Sequence, residues 1–312
     1  MTITQLQYTI SVAKHGNFTI AAQKCFVTQP TLSMQVQKLE EELGIKLFDR
    51  STKPIRLTSV GSKIINQASV IIKEVQRMED VVSLEKGFIG GDFKLGIIPT
   101  IMPTLLPLFL QFFIKQYPKV NLKIEELNTD NIIKLLLDGE LDAGIAATPL
   151  SIDKIKEKPL YYEPFVGYVP KNNSLSKNTT LKTEDLENSS ILVLEDGHCF
   201  RHHTLNLCKT KKKTNDHFDL KSGSFETLVH LANKGLGMTL LPYLHTLQLT
   251  PENKLNLRSF ENPEPAREIS LIYSETQLKN SVINVLSKTI ESILRNFIQL
   301  KEMKIISPKP QH

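Results

Sequence analysis

The chain contains no run of about 18 or more apolar residues, so the sequence offers no membrane-spanning helix. Residues Met1 to Gln7 lack the basic segment and long apolar stretch of a secretory leader, and a cytoplasmic protein is expected. Cysteine is scarce, with three in 312 residues. In a reducing compartment a static structural disulfide is then a poor default for them. Charge of one sign is not in large excess either: net charge is +5, a modest basic bias. What remains is an ordinary globular composition, 40% hydrophobic and 23% charged, in a chain long enough for two domains.

The basic bias is unevenly placed. Residues 1–58 carry seven Lys and Arg against four Asp and Glu, which suits phosphate contact. Leu6, Ile10 and Ala13 recur at helical spacing. Asn17 reads as an N-cap for a short helix, Phe18 to Cys25, with Cys25 packed in its core. Thr28 caps a third helix with Pro30 in its first turn, and Gly44 ends it. Leu32, Val36, Leu39 and Leu43 form its core face. Two short helices joined by a tight turn read as a helix-turn-helix. Thr28, Gln29, Pro30 and Thr31 sit at the end that enters the major groove, and Ser33, Gln37 and Lys38 continue along the outer face. Leu47 to Leu57 reads as a wing whose Arg50, Lys53 and Arg56 would line the DNA backbone or minor groove.

From residue 59 to about 88, Ile64, Ala68, Ile71, Val75, Met78 and Val82 alternate spacings of four and three, a heptad stripe. Ile65, Ile72 and Val81 widen it. Such a helix runs about 40 Å at 1.5 Å per residue, and its expected partner is the same helix of a second chain. Gly87, Gly90 and Gly91 then break it as a hinge. From 91 to 312, apolar strand-like runs alternate with helices of 8–14 residues, which predicts parallel βαβ units. Residues 300–312 read as a tail. The fold class expected is therefore an α/β regulatory domain preceded by an all-α winged helix-turn-helix domain and a long linker helix.

One stretch concentrates the chemistry. Leu194 to Cys208 holds two of the three cysteines and three of the eight histidines. Glu195, Asp196 and Gly197 look like a loop ahead of a helix beginning near Cys199. A thiol at a helix N-terminus beside His198 and Arg201 is placed to ionise. If Cys199 to Cys208 is helical, the two Cα atoms lie about 13 Å apart. A disulfide tolerates roughly 4.4–6.8 Å, so the two sulfurs can join only if the segment unwinds. On spacing alone three readings stay open: buried inert thiols, a metal site drawn from His198, Cys199, His202, His203 and Cys208, or a catalytic thiol. The spacing fits no closed tetrahedral template.

Two sets of motifs carry a resemblance. Ala21-Ala22, Val27-Thr28-Gln29-Pro30-Thr31-Leu32-Ser33, Leu39-Glu40-Glu41-Glu42-Leu43-Gly44, Leu47-Phe48-Asp49-Arg50 and Leu57-Thr58-Ser59-Val60-Gly61 are similar to the winged helix-turn-helix of LysR-type transcriptional regulators. Leu194-Glu195-Asp196-Gly197-His198-Cys199, with Cys208 nine residues on, resembles the hydrogen-peroxide-sensing members of that family. So do His217-Phe218, Phe225-Glu226-Thr227-Leu228, Gly237-Met238-Thr239-Leu240-Leu241-Pro242 and Pro263-Glu264-Pro265-Ala266-Arg267.

The resemblance implies a two-lobed, periplasmic-binding-protein-like regulatory domain. Lobe I would cover about 91–162 and 267–300, and lobe II about 163–266. It implies that Cys199 reacts with peroxide and Cys208 resolves it to a disulfide, in a pocket with Thr100, Thr129, His198, His217 and Arg267. Asp130 stands where some members carry His, and Gln37 where Arg is frequent. The partners implied are double-stranded operator DNA, hydrogen peroxide, a second or further copies of the chain as homodimer or homotetramer, RNA polymerase and a cellular disulfide reductant. No cofactor or metal is expected. Two rivals are a regulator of the same type switched by a small organic effector in the interlobe cleft, and a thiol peroxidase that happens to bind DNA.

Overall fold

The computed structural model describes residues 1–85, 89–187, 189–208, 222–277, 279–298 and 303–308. It divides into two compact units, Met1–Gly87 and Phe88–His312. In the first unit the helices are α1 (Ile3–His15), α2 (Phe18–Lys24), α3 (Gln29–Leu43) and α4 (Ser59–Glu85), and the wing is the strand pair β1 (Phe48–Asp49) and β2 (Arg56–Leu57). Each cap read from the sequence is present. Asn17 accepts from the amides of Thr19 and Ile20, Thr28 accepts from Thr31, and Gly44 takes the left-handed conformation that stops α3. Leu6, Val12, Leu32, Val36, Leu39 and Leu47 form the core.

The linker helix has two regimes. Ile64, Ala68, Ile71 and Ile72 pack into the core of the first unit. Farther along, Met78 is 71% exposed and Val82 52%. The apolar stripe is thus half consumed by the chain's own head and half left open. Gly61 is required where α4 meets the wing: a Cβ there would lie 2.1 Å from the Leu47 carbonyl oxygen.

Glu40 ties the wing down. Its fully buried carboxylate accepts from the amides of Leu47 and Phe48, at 2.8 and 3.3 Å, and from Arg50 at 3.1 Å. Glu40→Ala strands two amides and is expected to lower stability by roughly 3 kcal/mol. The check is calorimetry of the full chain; a loss below about 1 kcal/mol would contradict this role.

The second unit continues with β3 (Gly91–Ile97), α5 (Met102–Gln116), β4 (Val120–Glu126), α6 (Thr129–Leu137), β5 (Ala143–Thr148), β6 (Ile155–Tyr168), β7 (Thr180–Leu181), β8 (Ile191–Leu192), α7 (Cys199–Cys208), α8 (Phe225–Asn233), β9 (Met238–Pro242), α9 (Tyr243–Thr246), α10 (Pro251–Lys254), β10 (Leu257–Phe260), β11 (Glu264–Ser274), α11 (Asn280–Leu294) and β12 (Met303–Ile305). The βαβ expectation holds for β3 with β4 and β5, and for β8 with β9, which pair in parallel. It fails elsewhere. β11 runs antiparallel to β5 and β6, and β6 antiparallel to β9 and β10, so the sheet is mixed.

Two hydrophobic cores lie along the sheet. One gathers β3, β5, α5 and α11 around Phe93, Phe109, Ile145 and Leu286. The other gathers β9, α7 and α8 around Phe165, Phe200, Leu228 and Leu241. Strand β6 serves both, with Tyr161 in the first core and Phe165 in the second. Two boundaries change. The last long helix covers Asn280–Leu294, 15 residues against the expected 8–14, and the supposed tail contains β12, which adds to the edge of β11. The hinge glycine Gly87 lies outside the described residues, as do His217 and Phe218 of the motif His217-Phe218.

Candidate functional site

The site forms where β6, paired with β11, passes from one core to the other. Arg267 and Glu163 are directly opposed across that antiparallel pair. Both side chains are 1% exposed. Arg267 donates from Nε and Nη2 to Oε2 of Glu163, at 2.9 and 2.7 Å. Its other contacts reach the end of β3: Nη1 donates to the Thr100 hydroxyl at 3.0 Å and Nη2 to the Thr100 carbonyl at 3.2 Å. Glu163 spends its second oxygen on the Leu244 amide at 2.9 Å. The guanidinium lies over the Phe200 ring, 5.1 Å from its centre.

Cys199 is delivered to this centre as the first residue of α7. The loop before it is pinned by Arg201, which donates to the Leu194 carbonyl at 2.8 Å and pairs with Asp196 at 2.9 Å. Gly197, with φ +94°, makes the turn. Ile98, Pro99, Thr100, Asn128, Thr129, Gly197, His198 and Cys199 close a small niche. Thr129 begins α6, capped by Asn128, and its buried hydroxyl has no hydrogen-bond partner at bonding geometry.

The electrostatics correct the expectation of a ready thiolate. Burial raises the Cys199 thiol above its ordinary value of 9.0, against the pull of Arg267, the Thr129 hydroxyl, the Phe200 amide and the Thr100 hydroxyl. The helix N-terminus and the cation are present, as read from the sequence, and they are outweighed by desolvation. The Cys208 thiol, at the far end of α7 and 5% exposed, is pushed up by burial to about 12. The helix therefore stands intact between the two sulfurs, with about 13 Å of rise separating their Cα atoms.

The structure thus brings Thr100, Thr129, His198, Cys199 and Arg267 together. His198 sits 3.9 Å from Glu195 at the rim. Asp130 is exposed in the first turn of α6. Among the described residues no group of three or more His, Cys, Asp or Glu converges as a metal site would require. Sequence reasoning missed Glu163 and Tyr161, and it weighed His203 only as a metal ligand. A signal for Glu163 existed: one acid inside the apolar run Leu160-Tyr161-Tyr162-Glu163-Pro164-Phe165 needs a buried cation if that run is core.

In the first unit Thr28, Gln29, Pro30 and Thr31 are exposed at the start of α3, with Gln37 and Lys38 exposed farther along and Ser33 half-buried. Lys53 is exposed on the wing. Arg50 is turned partly inward: besides Glu40 it covers the Phe18 ring at 5.0 Å. Phe26, in the turn before α3, is 95% exposed with φ +55°.

Comparison with known proteins bears on all of this. Residues 3–62 match the bacterial regulatory helix-turn-helix protein, lysR family, and residues 86–293 match the LysR substrate binding domain. The chain is 33% identical over 277 residues to the DNA-binding transcriptional dual regulator OxyR of Escherichia coli, covering 88% of this chain and 89% of that one. Full-length OxyR C199D from Pseudomonas aeruginosa superimposes with a TM-score of 0.73 at 33% identity, over 93% of this chain and 98% of that one. An H2O2-bound cysteine-to-serine mutant of Corynebacterium glutamicum OxyR gives a TM-score of 0.64 at 26% identity, over 97% and 98%. With both domains matched in order and the pocket residues gathered at one end of α7, the chain belongs to the LysR family of bacterial transcription regulators.

Proposed function

We propose that this regulator senses hydrogen peroxide through Cys199 and Cys208. One observation carries the reading: Cys199 opens α7 between two threonine hydroxyls and Arg267, and the only other cysteine of the described regulatory unit closes the same helix. The Cys199 thiolate attacks one peroxide oxygen and the O–O bond breaks. The thiol becomes a sulfenic acid, and the departing hydroxide takes a proton to leave as water. Thr100 and Thr129 donate to the oxygens, and Arg267 favours the charge. The Cys208 thiol then condenses with the sulfenic acid, forming the S–S bond and releasing a second water. Because the disulfide cannot span α7, closure unwinds the helix. The H2O2-bound state named for the C. glutamicum relative supports this choice of ligand.

The remaining assignments follow from it. Residues 1–58 read operator DNA through Thr28, Gln29, Pro30, Thr31, Ser33, Gln37 and Lys38, with Lys53 and the exposed part of Arg50 on phosphate. Residues 59–88 pair with a second copy through the open stripe at Met78, Val81 and Val82. Lobe I takes about 91–162 and 267–300, and lobe II about 163–266. His217, which lies outside the described residues, is assigned to the pocket by the resemblance alone. The protein works in the cytoplasm, once per reduction by a cellular disulfide reductant, and signals to RNA polymerase; it is no turnover enzyme.

Intact mass after thiol trapping tests the chemistry. Wild type treated with micromolar peroxide is expected to lose two hydrogens. Cys199→Ser is expected to stay unchanged, and Cys208→Ser to stop at one added oxygen. Unaltered peroxide reactivity in Cys199→Ser would overturn the reading. A DNA footprint that ignores peroxide but responds to a saturable organic ligand would favour an effector in the interlobe cleft.

A further inference from the structure

His203 lies four residues after Cys199, inside the segment that must open if the two cysteines are to join. Its side chain is fully buried, and neither ring nitrogen has a hydrogen-bond partner at bonding geometry. It is wedged between aromatic rings, with centres 5.7 Å from Phe165 on β6 and 6.3 Å from Phe200 on α7 itself. Among the described residues, the charged and titratable groups around it are few. β11 presents Arg267, and α7 presents His202 and the carbonyl of Cys199. β6, which touches the ring through Phe165, also carries Glu163, committed to Arg267, and the buried Tyr161. The single-turn helix over Thr183–Leu186, packed against α7, carries Glu184 and Asp185. The surroundings are therefore dry, aromatic and cationic, and they admit a neutral imidazole only. Burial first and Arg267 second hold the ring's pKa down to about 3.

The geometry points to His203 as an acid-sensitive lock on the thiol–disulfide switch: intact α7 requires its ring neutral and dry, whereas the unwound, disulfide-bonded segment gives that ring to water, where it takes up a proton. The inference rests on the reading that Cys199 and Cys208 are the partners. The exchange balances as follows. Protein dithiol, one glutathione disulfide and one proton give protein disulfide, an imidazolium at His203 and two glutathione thiols.

The sign follows from linkage. A released imidazole titrates near its ordinary value of about 6.5. Well above that, the ring is neutral in both forms and contributes nothing. As pH falls through it, the open form gains a proton that the helical form refuses, until about 3. The protein thiols, raised by burial, and the glutathione thiols stay protonated below pH 7.5, so their protons cancel. The equilibrium constant for oxidation should therefore rise about tenfold between pH 7.5 and pH 5.5.

The experiment equilibrates the full chain in glutathione buffers across that range, approached from both the reduced and oxidised sides. Alkylation and mass mapping then quantify the Cys199–Cys208 disulfide. Wild type is expected to show the tenfold rise. His203→Gln, which keeps a polar side chain, and His203→Phe, which fits the aromatic surroundings, are each expected to flatten it to less than about twofold. A flat wild type, or a slope that survives in both variants, overturns the lock. If the disulfide forms but ignores pH, only the lock fails. If no Cys199–Cys208 disulfide forms at any pH, the sensing reading fails with it.

Discussion

Arg267→Met is expected to cost about 3–5 kcal/mol of stability, the range for breaking a buried ion pair from one side. The residue is 1% exposed, so solvent cannot take its place. Removing it leaves the Glu163 carboxylate buried with one amide donor, from Leu244, where it now has three bonds. The Thr100 hydroxyl and carbonyl lose their donor as well. Denaturant unfolding of the full chain measures the loss. Glu163→Gln added to Arg267→Met removes the stranded charge and is expected to recover more than half of it; strict additivity would show the two are not coupled. A second readout separates packing from chemistry. Arg267 is the largest influence holding the Cys199 thiol down, so the double variant should react with peroxide at least about tenfold more slowly even where it is well folded.

The rate of the peroxide reaction is expected to climb about tenfold per pH unit from 6 to 8, roughly a hundredfold in all. Only thiolate attacks peroxide. Burial sets the Cys199 pKa above 9.0, so the thiolate fraction throughout this window is small and proportional to hydroxide. Stopped-flow peroxide consumption by Cys208→Ser, which isolates the first step, gives the profile. A plateau below pH 7 would mean that Arg267, the threonine hydroxyls and the helix terminus win over burial. Acid thus slows the first step while, through His203, it favours the disulfide at equilibrium. The two effects have opposite signs, and rate and equilibrium measurements separate them.

Local chemistry was legible in the sequence, and long-range pairing was not. Asn17, Thr28, Pro30 and Gly44 mark the helix-turn-helix because caps act within one turn of chain. The two cysteines at the ends of one helix follow from spacing. Strand β6 escaped because Lys156, Glu157, Lys158, Pro159 and Pro164 break its alternation; its extended form comes from its partners, β11 along Ile155 to Pro164 and then β9 and β10 on opposite edges of Val166 to Tyr168. β12 escaped for the same reason, as its ladder partner lies about 40 residues earlier. The thiol's protonation state was misjudged because a helix terminus and a neighbouring arginine are visible in sequence, whereas the number of atoms packed around a sulfur is not. His203 was seen and passed over, since a histidine's burial depends on Phe165, 38 residues away.

The pairing of β11 along β6, the strand that serves both cores, has a mechanical meaning. Two rigid bodies joined by flexible crossings can clap shut on a guest, and a signal is then carried by their angle. Here the two strands are ladder-bonded to each other from Ile155 and Ser274 to Pro164 and Ala266, and clamped near the latter end by the Arg267–Glu163 pair. That arrangement is a spar rather than a hinge: bending it means shearing hydrogen bonds along its length. A stimulus as small as one peroxide molecule meets far less resistance in the ten residues of α7, hung beside the spar, than in the frame that carries them.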